Sequence, residues 1–385
     1  MAARKPIVVV GSVNADLILE SRLPLAGETI SATGGGITVA GGKGANQAAT
    51  AGKLGYSTAF VGQTGRDAAG GMLREALGAC GVSLQHTPAV SAPTGQAVII
   101  LQPDGENSII IVGGANVAWQ APDAAALDAV RAAATQRALF CACVTPAPRP
   151  GAQVRSAGLL LLQREVPESV SIAAAEAAHA AGVPVILDAG GDETPIADAL
   201  LRCVTYLSPN ETELARARAL RAPRRRSGSL QRLPLQARLT GMPTDGGDAA
   251  VQAAAAVLQA RGVSHVLVKL GKHGSLLVPP APAAPLRQPA LRADKVRIRT
   301  LRKLMPTHAS PHAADRSRYC SQVVDTTGAG DCFTAAFGVA LMEGMPHAEA
   351  LRFASAAACI CVQRMGAMPS LPSRAEVDAL LAAQK

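Results

Sequence analysis

Four apolar runs, at residues 158–162, 183–187, 204–207 and 265–270, are of strand length and lack a sustained polar face. The stretches 169–181, 211–218 and 247–261 between them are helical in period, and two are rich in alanine. Strands without a polar face must be covered on both sides. Joined in succession through helices they lie parallel, because each connection crosses back over the sheet. The N-terminal part repeats the pattern with a strand at 7–10, a helix from about 45 to 54, a strand at 56–61 and an amphipathic helix at 68–80. The expected fold class is therefore α/β: a doubly wound, mainly parallel sheet with helices on both faces. Further helices are expected at 122–135, opening on Pro122, and at 331–342. The last long one is expected at 352–364.

Residues 94–101 and 107–112 flank Gln102-Pro103-Asp104-Gly105-Glu106, an Asp-Gly hairpin pattern. With strand-like residues near 29–39 this hairpin builds a small second sheet, a lid drawn from about 12–40 and 94–114. Its exposed face or edge suits pairing with a second copy, so a homodimer is expected. The whole chain, 1–385, reads as one domain.

The formal net charge of +9 is local rather than general. Residues 217–238 hold seven Arg and no acid, residues 295–322 hold seven Lys or Arg and one Asp, and residues 139–156 hold two Arg. None of the three keeps a helix or strand period, so they read as exposed insertions, and the remainder is net acidic. With five Phe, three Tyr and one Trp there is little to build a stacking platform, and no nucleic-acid partner is expected. No apolar stretch reaches the roughly 18–20 residues of a membrane span. Met1 to Pro6 runs directly into the first strand without a leader, which points to the cytoplasm. A plastid protein would need a transit peptide ahead of this sequence. The eight cysteines form no CxxC pair and read as buried free thiols.

Chemistry concentrates at Val323-Val324-Asp325-Thr326-Thr327-Gly328-Ala329-Gly330-Asp331, read as a strand end, a small-residue turn and a helix start. Gly328, Ala329 and Gly330 leave first-turn amides bare, an anion site strengthened by the helix dipole. Asp331 beside it can accept a proton from an alcohol, or it can simply cap the helix. Asn14 and Asp16 follow the first strand, where open α/β sheets bind ligands, and suit sugar hydroxyls; an Asx-turn is the alternative. Gly41, Gly42 and Gly44 allow close backbone approach around Lys43 and Asn46, but the spacing is not that of a Walker A loop. Nor does Gly-x-Gly-x-x-Gly follow the first strand. Asn210 and Glu213 are placed to face phosphates and a hydrated cation, or to form a capping box. Lys269, Gly271 and Gly274 mark a strand and turn able to wrap a nucleotide.

Together these motifs resemble the ribokinase family, within the pfkB-type sugar kinases that also include fructokinases and adenosine kinases. Residues 11–16 and 41–47 carry the ribokinase likeness, 325–331 that of the wider group, and 187–191 and 208–213 that of plant-type members. The resemblance implies ATP-dependent phosphorylation of D-ribose at O5. Asn14, Asp16, Gly42, Lys43, Asn46 and Glu165 would hold ribose. Asp331 would be the general base beside the amides of Gly328, Ala329 and Gly330. Asn210, Lys269, Gly271, Gly274 and Gly330 would meet ATP, with Glu213 reaching Mg2+ through water. A monovalent K+ site is implied at Asp325, Thr327, Gly366 and Ser370. The alternatives are another kinase of the group, fructokinase-like or adenosine kinase-like, or a non-catalytic binding protein with Arg-rich insertions.

Overall fold

The computed structural model describes residues 5–102, 107–119, 157–215, 240, 247–291 and 323–384. The three basic insertions, the helix expected at 122–135 and the Asp104-Gly105 turn lie outside the described residues. In chain order the strands are β1 (Ile7–Val10), β2 (Asn14–Glu20), β3 (Thr33–Gly41), β4 (Thr58–Val61), β5 (Thr64–Gly65), β6 (Val82–His86), β7 (Ala89–Val90) and β8 (Gly95–Leu101). They continue with β9 (Asn107–Val112), β10 (Leu159–Arg164), β11 (Val185–Gly191), β12 (Tyr206–Ser208), β13 (His265–Lys269), β14 (Ser275–Val278) and β15 (Leu286–Gln288).

Nine of them form one sheet in the order β15-β14-β13-β12-β11-β10-β1-β4-β6. From β6 to β13 every pairing is parallel. The edge hairpin β13-β14-β15 is antiparallel, a departure the apolar runs do not signal. Along β1, Ile7 and Val9 enter one core while Val8 and Val10 enter the other, and Leu159 to Leu162 divide in the same way. That alternation is what helices on both faces require.

The first face is covered by α1 (Lys43–Lys53), α2 (Ala68–Ala79), α7 (Ala329–Met342), α8 (His347–Cys361) and α10 (Arg374–Ala383). On the second face lie α3 (Glu168–Ala180), α4 (Asp198–Leu201), α5 (Glu211–Ala215) and α6 (Asp248–Gln259). A short turn of helix, α9 (Ala367–Ser370), precedes α10. The helix expected at 352–364 begins five residues earlier, behind Pro346, and is not the last. Ser373 and Glu376 form a capping box that starts α10 beyond it. No described helix is long and apolar enough to cross a membrane.

A second sheet, β3-β2-β8-β9, is built from the segments expected of it. Its core is small, Ile18, Ala97 and Ile99, and Ile37 together with the consecutive Ile109, Ile110, Ile111 and Val112 of its edge strand stays exposed. The chain winds outward from β1 to β6, returns to β10, and winds outward the other way. The crevice between the carboxyl ends of β1 and β10 is therefore the switch point where such sheets take ligands.

Candidate active site

At that switch point Ser12 Oγ donates to Glu165 Oε2 at 2.5 Å, and Lys43 N donates to the same oxygen at 3.1 Å. One carboxylate thus ties together the turn after β1, the end of β10 and the start of α1. Gly42 caps α1 with φ 89°, and a Cβ there would meet Asn14 N at 2.7 Å. Only glycine brings the helix this close to β2. Asn14 and Asp16 are both buried. Asn14 Oδ1 accepts from Asn116 Nδ2 at 2.7 Å, while Asp16 Oδ1 is buried with no hydrogen-bond partner among the described residues. Neither side chain closes a turn on its own backbone, so the Asx-turn alternative falls.

Asp331 is the third residue of α7, behind a left-handed cap at Gly328 with φ 76°. Its side chain does not cap. Oδ2 accepts from Asn46 Nδ2 at 2.9 Å, and Oδ1 lies 3.9 Å from Lys43 Nζ without a hydrogen bond. The capping alternative for Asp331 therefore falls as well. Val323-Val324 is not a strand end: both side chains are exposed, and Val324 N donates to Val362 O at 2.8 Å, behind α8. Ala329 N donates to Thr326 O at 3.2 Å, so its amide is not bare. Among the described residues no backbone bond engages the amides of Gly328, Gly330 or Asp331.

Burial chiefly, then Glu165 and Asp331, push the Asp16 carboxyl up to about 7. Asp331 is raised to about 6, by burial first and then by Asp188 and Glu165, against the pull of Lys43 and Asn46. Asp331 in turn holds Lys43 firmly protonated. Asp188 behaves oppositely: despite burial, Lys269 and Lys43 keep it below the ordinary carboxylate value.

From Lys43 and Asp331 a cavity of about 1190 Å³ extends over the ends of β11 to β13. Asn210, Glu213, Lys269, Gly271, Gly274 and the Gly328–Asp331 turn line it, with Leu291, Phe333, Ala358 and Val362 as an apolar wall. Lys269 Nζ donates to Asp188 Oδ2 at 2.6 Å and lies beside Gly330, where a Cβ would be 3.7 Å away. Asn210 and Glu213 do form the capping box: Asn210 N donates to Glu213 Oε2 at 2.8 Å and Glu213 N to Asn210 Oδ1 at 2.7 Å. Asn210 Nδ2 and Glu213 Oε1 remain outside that pair of bonds, and both residues line the cavity. No cluster of three or more His, Cys, Asp or Glu able to hold a metal occurs among the described residues.

Behind the α7 N-terminus, Asp325 accepts from Thr327 N and from Gly366 N, each at 2.8 Å. Ser370 is less directly joined. Its hydroxyl donates to Ala367 O at 2.6 Å and touches Cys361 Sγ at 2.9 Å. Two residues escaped the sequence as site candidates. Asp188 lies midway along β11, directly after its apolar residues, and its only local signal is the Gly190-Gly191 pair after it. Asn116 is a lone amide whose partners, Val13 and Asn14, are more than a hundred residues away.

The model of the pfkB family of carbohydrate kinases matches residues 4–296 and 315–374. The chain is 46% identical to a ribokinase of Arabidopsis thaliana over 98% of its own length and 81% of the relative's. With a ribokinase of Haemophilus influenzae identity is 31%, covering 97% of each. Among solved structures, Arabidopsis thaliana ribokinase complexed with ribose and ATP superimposes with a TM-score of 0.74 at 45% identity, covering 98% of this chain and 99% of the other. With these likenesses, a two-sheet α/β fold carrying an acid, a helix start with unengaged amides and a long cavity defines a phosphotransferase acting on an alcohol. The chain belongs to the pfkB family of carbohydrate kinases.

Proposed function

We propose that this kinase transfers the γ-phosphoryl group of ATP to O5 of D-ribose, giving D-ribose 5-phosphate and ADP. One observation carries the proposal. Asp16 Oδ1, Asn46 Oδ1 and Asp331 Oδ1 are buried acceptors without donors, gathered where a bare helix N-terminus opens into the cavity. Unpaired buried acceptors are costly, and a polyol supplies the donors they lack. Similarity to a ribokinase solved with ribose and ATP supports ribose as that polyol.

Asn14, Asp16, Gly42, Lys43, Asn46 and Glu165 surround the sugar. Asp331 takes the O5 proton as O5 bonds to the γ-phosphorus and the β,γ-bridging bond breaks, its electron pair leaving with ADP. The amides of Gly328, Gly330 and Asp331 receive charge building on the phosphoryl oxygens, and Lys43 and Lys269 lie at hand. The apolar wall of Leu291, Phe333, Ala358 and Val362 suits the adenine, with Asn210, Gly271 and Gly274 beside the nucleotide.

Mg2+ would come with the nucleotide, since it dehydrates reluctantly and keeps several waters; Glu213 Oε1 fits a water-mediated contact. When bound it neutralises phosphate charge. The oxygens of Asp325 and the carbonyls about Thr327 and Gly366 are a hard donor set suited to K+, which would fix the turn that presents the amides. Asn14 and Asp16 sit on the first strand of the small sheet, so that sheet acts as a lid: closing it excludes water from the transfer. Its exposed isoleucines fit a homodimer interface. The cysteines among the described residues form no disulfide with one another, which suits a reducing compartment such as the cytoplasm.

The test is ADP release with ribose against other pentoses, fructose and adenosine, with and without K+. Ribose should give the highest kcat/KM, and K+ should raise it. Preference for fructose or adenosine would replace ribose with that substrate.

A further inference from the structure

Asn116 sits in the turn after β9, buried to 2% exposure. Its Oδ1 accepts from Val13 N at 2.9 Å, and its Nδ2 donates to Val13 O at 3.0 Å and to Asn14 Oδ1 at 2.7 Å. The order of these bonds is forced. A backbone N–H can only donate, so the Asn116 oxygen must face Val13 N. Its NH2 group must then face Val13 O and Asn14, and both of its hydrogens are used. Only an acceptor can sit opposite the second hydrogen, so Asn14 turns its oxygen to Asn116. Asn14 Nδ2 is left, and among the described residues no hydrogen bond engages it. Gly95 makes the arrangement possible, since a Cβ there would collide with both Asn116 Nδ2 and Asn14 Oδ1.

We propose that Asn116 is a positioning residue that reads the polarity of the Val13 peptide and imposes it on Asn14, so that Asn14 meets the sugar as a hydrogen-bond donor only. The consequence is a fixed pattern around the sugar. Asn14 supplies a donor to a hydroxyl oxygen, while Asp16, Asn46 and Asp331 supply acceptors to hydroxyl hydrogens. Without the clamp, Asn14 could turn either way, and its oxygen would add a fourth acceptor beside Asp16. Because it takes Asn14 as a sugar contact, the proposal rests on the function proposed above.

Asn116→Asp is the matching perturbation. The carboxylate still accepts from Val13 N, but its second oxygen loses the bond to Val13 O and now faces Asn14, whose amide must reverse to donate to it. Ribose then meets an acceptor in place of a donor. The expected result is a ribose Kd weakened about 10- to 100-fold, as for loss of one hydrogen bond with a buried group left unpaired. The KM for ATP should be unchanged and kcat should stay within about threefold, since Asn14 does not touch the transferred group.

A double-mutant cycle with Asn14→Ala, read by calorimetric titration of ribose, separates positioning from general support of the fold. If Asn116 acts through Asn14, its substitution adds little in the Asn14→Ala background. Additive losses, or Asn116→Asp binding ribose as the wild type does, would overturn the proposal while leaving the kinase assignment intact. If Asn14→Ala itself binds ribose normally, the sugar-site role of Asn14 fails and the proposal fails with it. Should Asn116→Asp melt well below the wild type, Asn116→Ala replaces it in the cycle with the same expected non-additivity.

Discussion

Replacing Asp331 by Asn tests the chemical step most directly. The two side chains have nearly the same shape. The substituted amide can still offer an oxygen to Asn46 Nδ2, which in the parent lies 2.9 Å from Asp331 Oδ2. Ribose and ATP should therefore bind within about fivefold of the parent, since one neutral hydrogen bond replaces a charge-assisted one. Turnover is another matter. General-base catalysis is worth about 10²–10⁴-fold, and a loss of about 10³ corresponds to about 4 kcal/mol in the barrier. The pH profile sharpens the assignment. With its carboxyl raised to about 6, Asp331 is mostly ionised at neutral pH, and kcat should fall about tenfold per pH unit once the pH drops well below that value. In Asp331→Asn that acid limb should vanish from the residual rate. The assay is coupled ADP release across pH, with calorimetry for binding. Turnover within tenfold of the parent, or an unchanged acid limb, would remove Asp331 from the base role.

Ribose affinity should itself depend on pH through Asp16. Its free carboxyl titrates at about 7, and hydroxyl donors favour the ionised form. Affinity is therefore full above that value and falls by up to about tenfold per unit as the pH drops through it. A Kd that does not change from mildly alkaline to mildly acid solution would contradict this. Asp188→Asn should destabilise the fold by about 1–3 kcal/mol in denaturant, because it puts a neutral acceptor in place of the charged one 2.6 Å from the part-buried ammonium of Lys269. Since the folded-state pKa of Asp188 is depressed, that difference should be present at neutral pH and shrink as pH falls through the depressed value. Ile110→Glu, on the exposed small sheet, should halve the apparent mass in size-exclusion chromatography without reducing ribose binding per chain. An unchanged elution volume would place any dimer contact elsewhere.

The main sheet was legible because Ile7–Val10, Leu159–Leu162 and Val185–Leu187 are too apolar to show water either face, which leaves few ways to cover them. The site was legible where its chemistry is local, as in the Gly41–Lys43 and Gly328–Asp331 turns. What stayed hidden is non-local. Nothing near Asn116 announces that its partners are Val13 and Asn14, and nothing near Asp188 announces Lys269. Local pattern also misled at Val323-Val324, where β-branched residues pair with the end of a helix rather than with a strand. For Asn210 and Glu213 the sequence posed capping box against ligand contact. The structure satisfies the first with one oxygen from each side chain, and both residues also line the cavity.

Three acids, Asp16, Glu165 and Asp331, meet where the sugar is proposed to bind, with Lys43 as a cation among them. A neutral polyol enters such surroundings at no Coulombic cost. In the proposed reaction Asp331 has taken the O5 proton, so Asp16 and Glu165 are the acids left facing a product that bears about two negative charges, and in a poorly solvated crevice like charges a few ångströms apart repel by several kcal/mol. If the proposed site holds, the walls that select an uncharged sugar also help to expel it after reaction, and turnover draws part of its product release from the arrangement that gives binding.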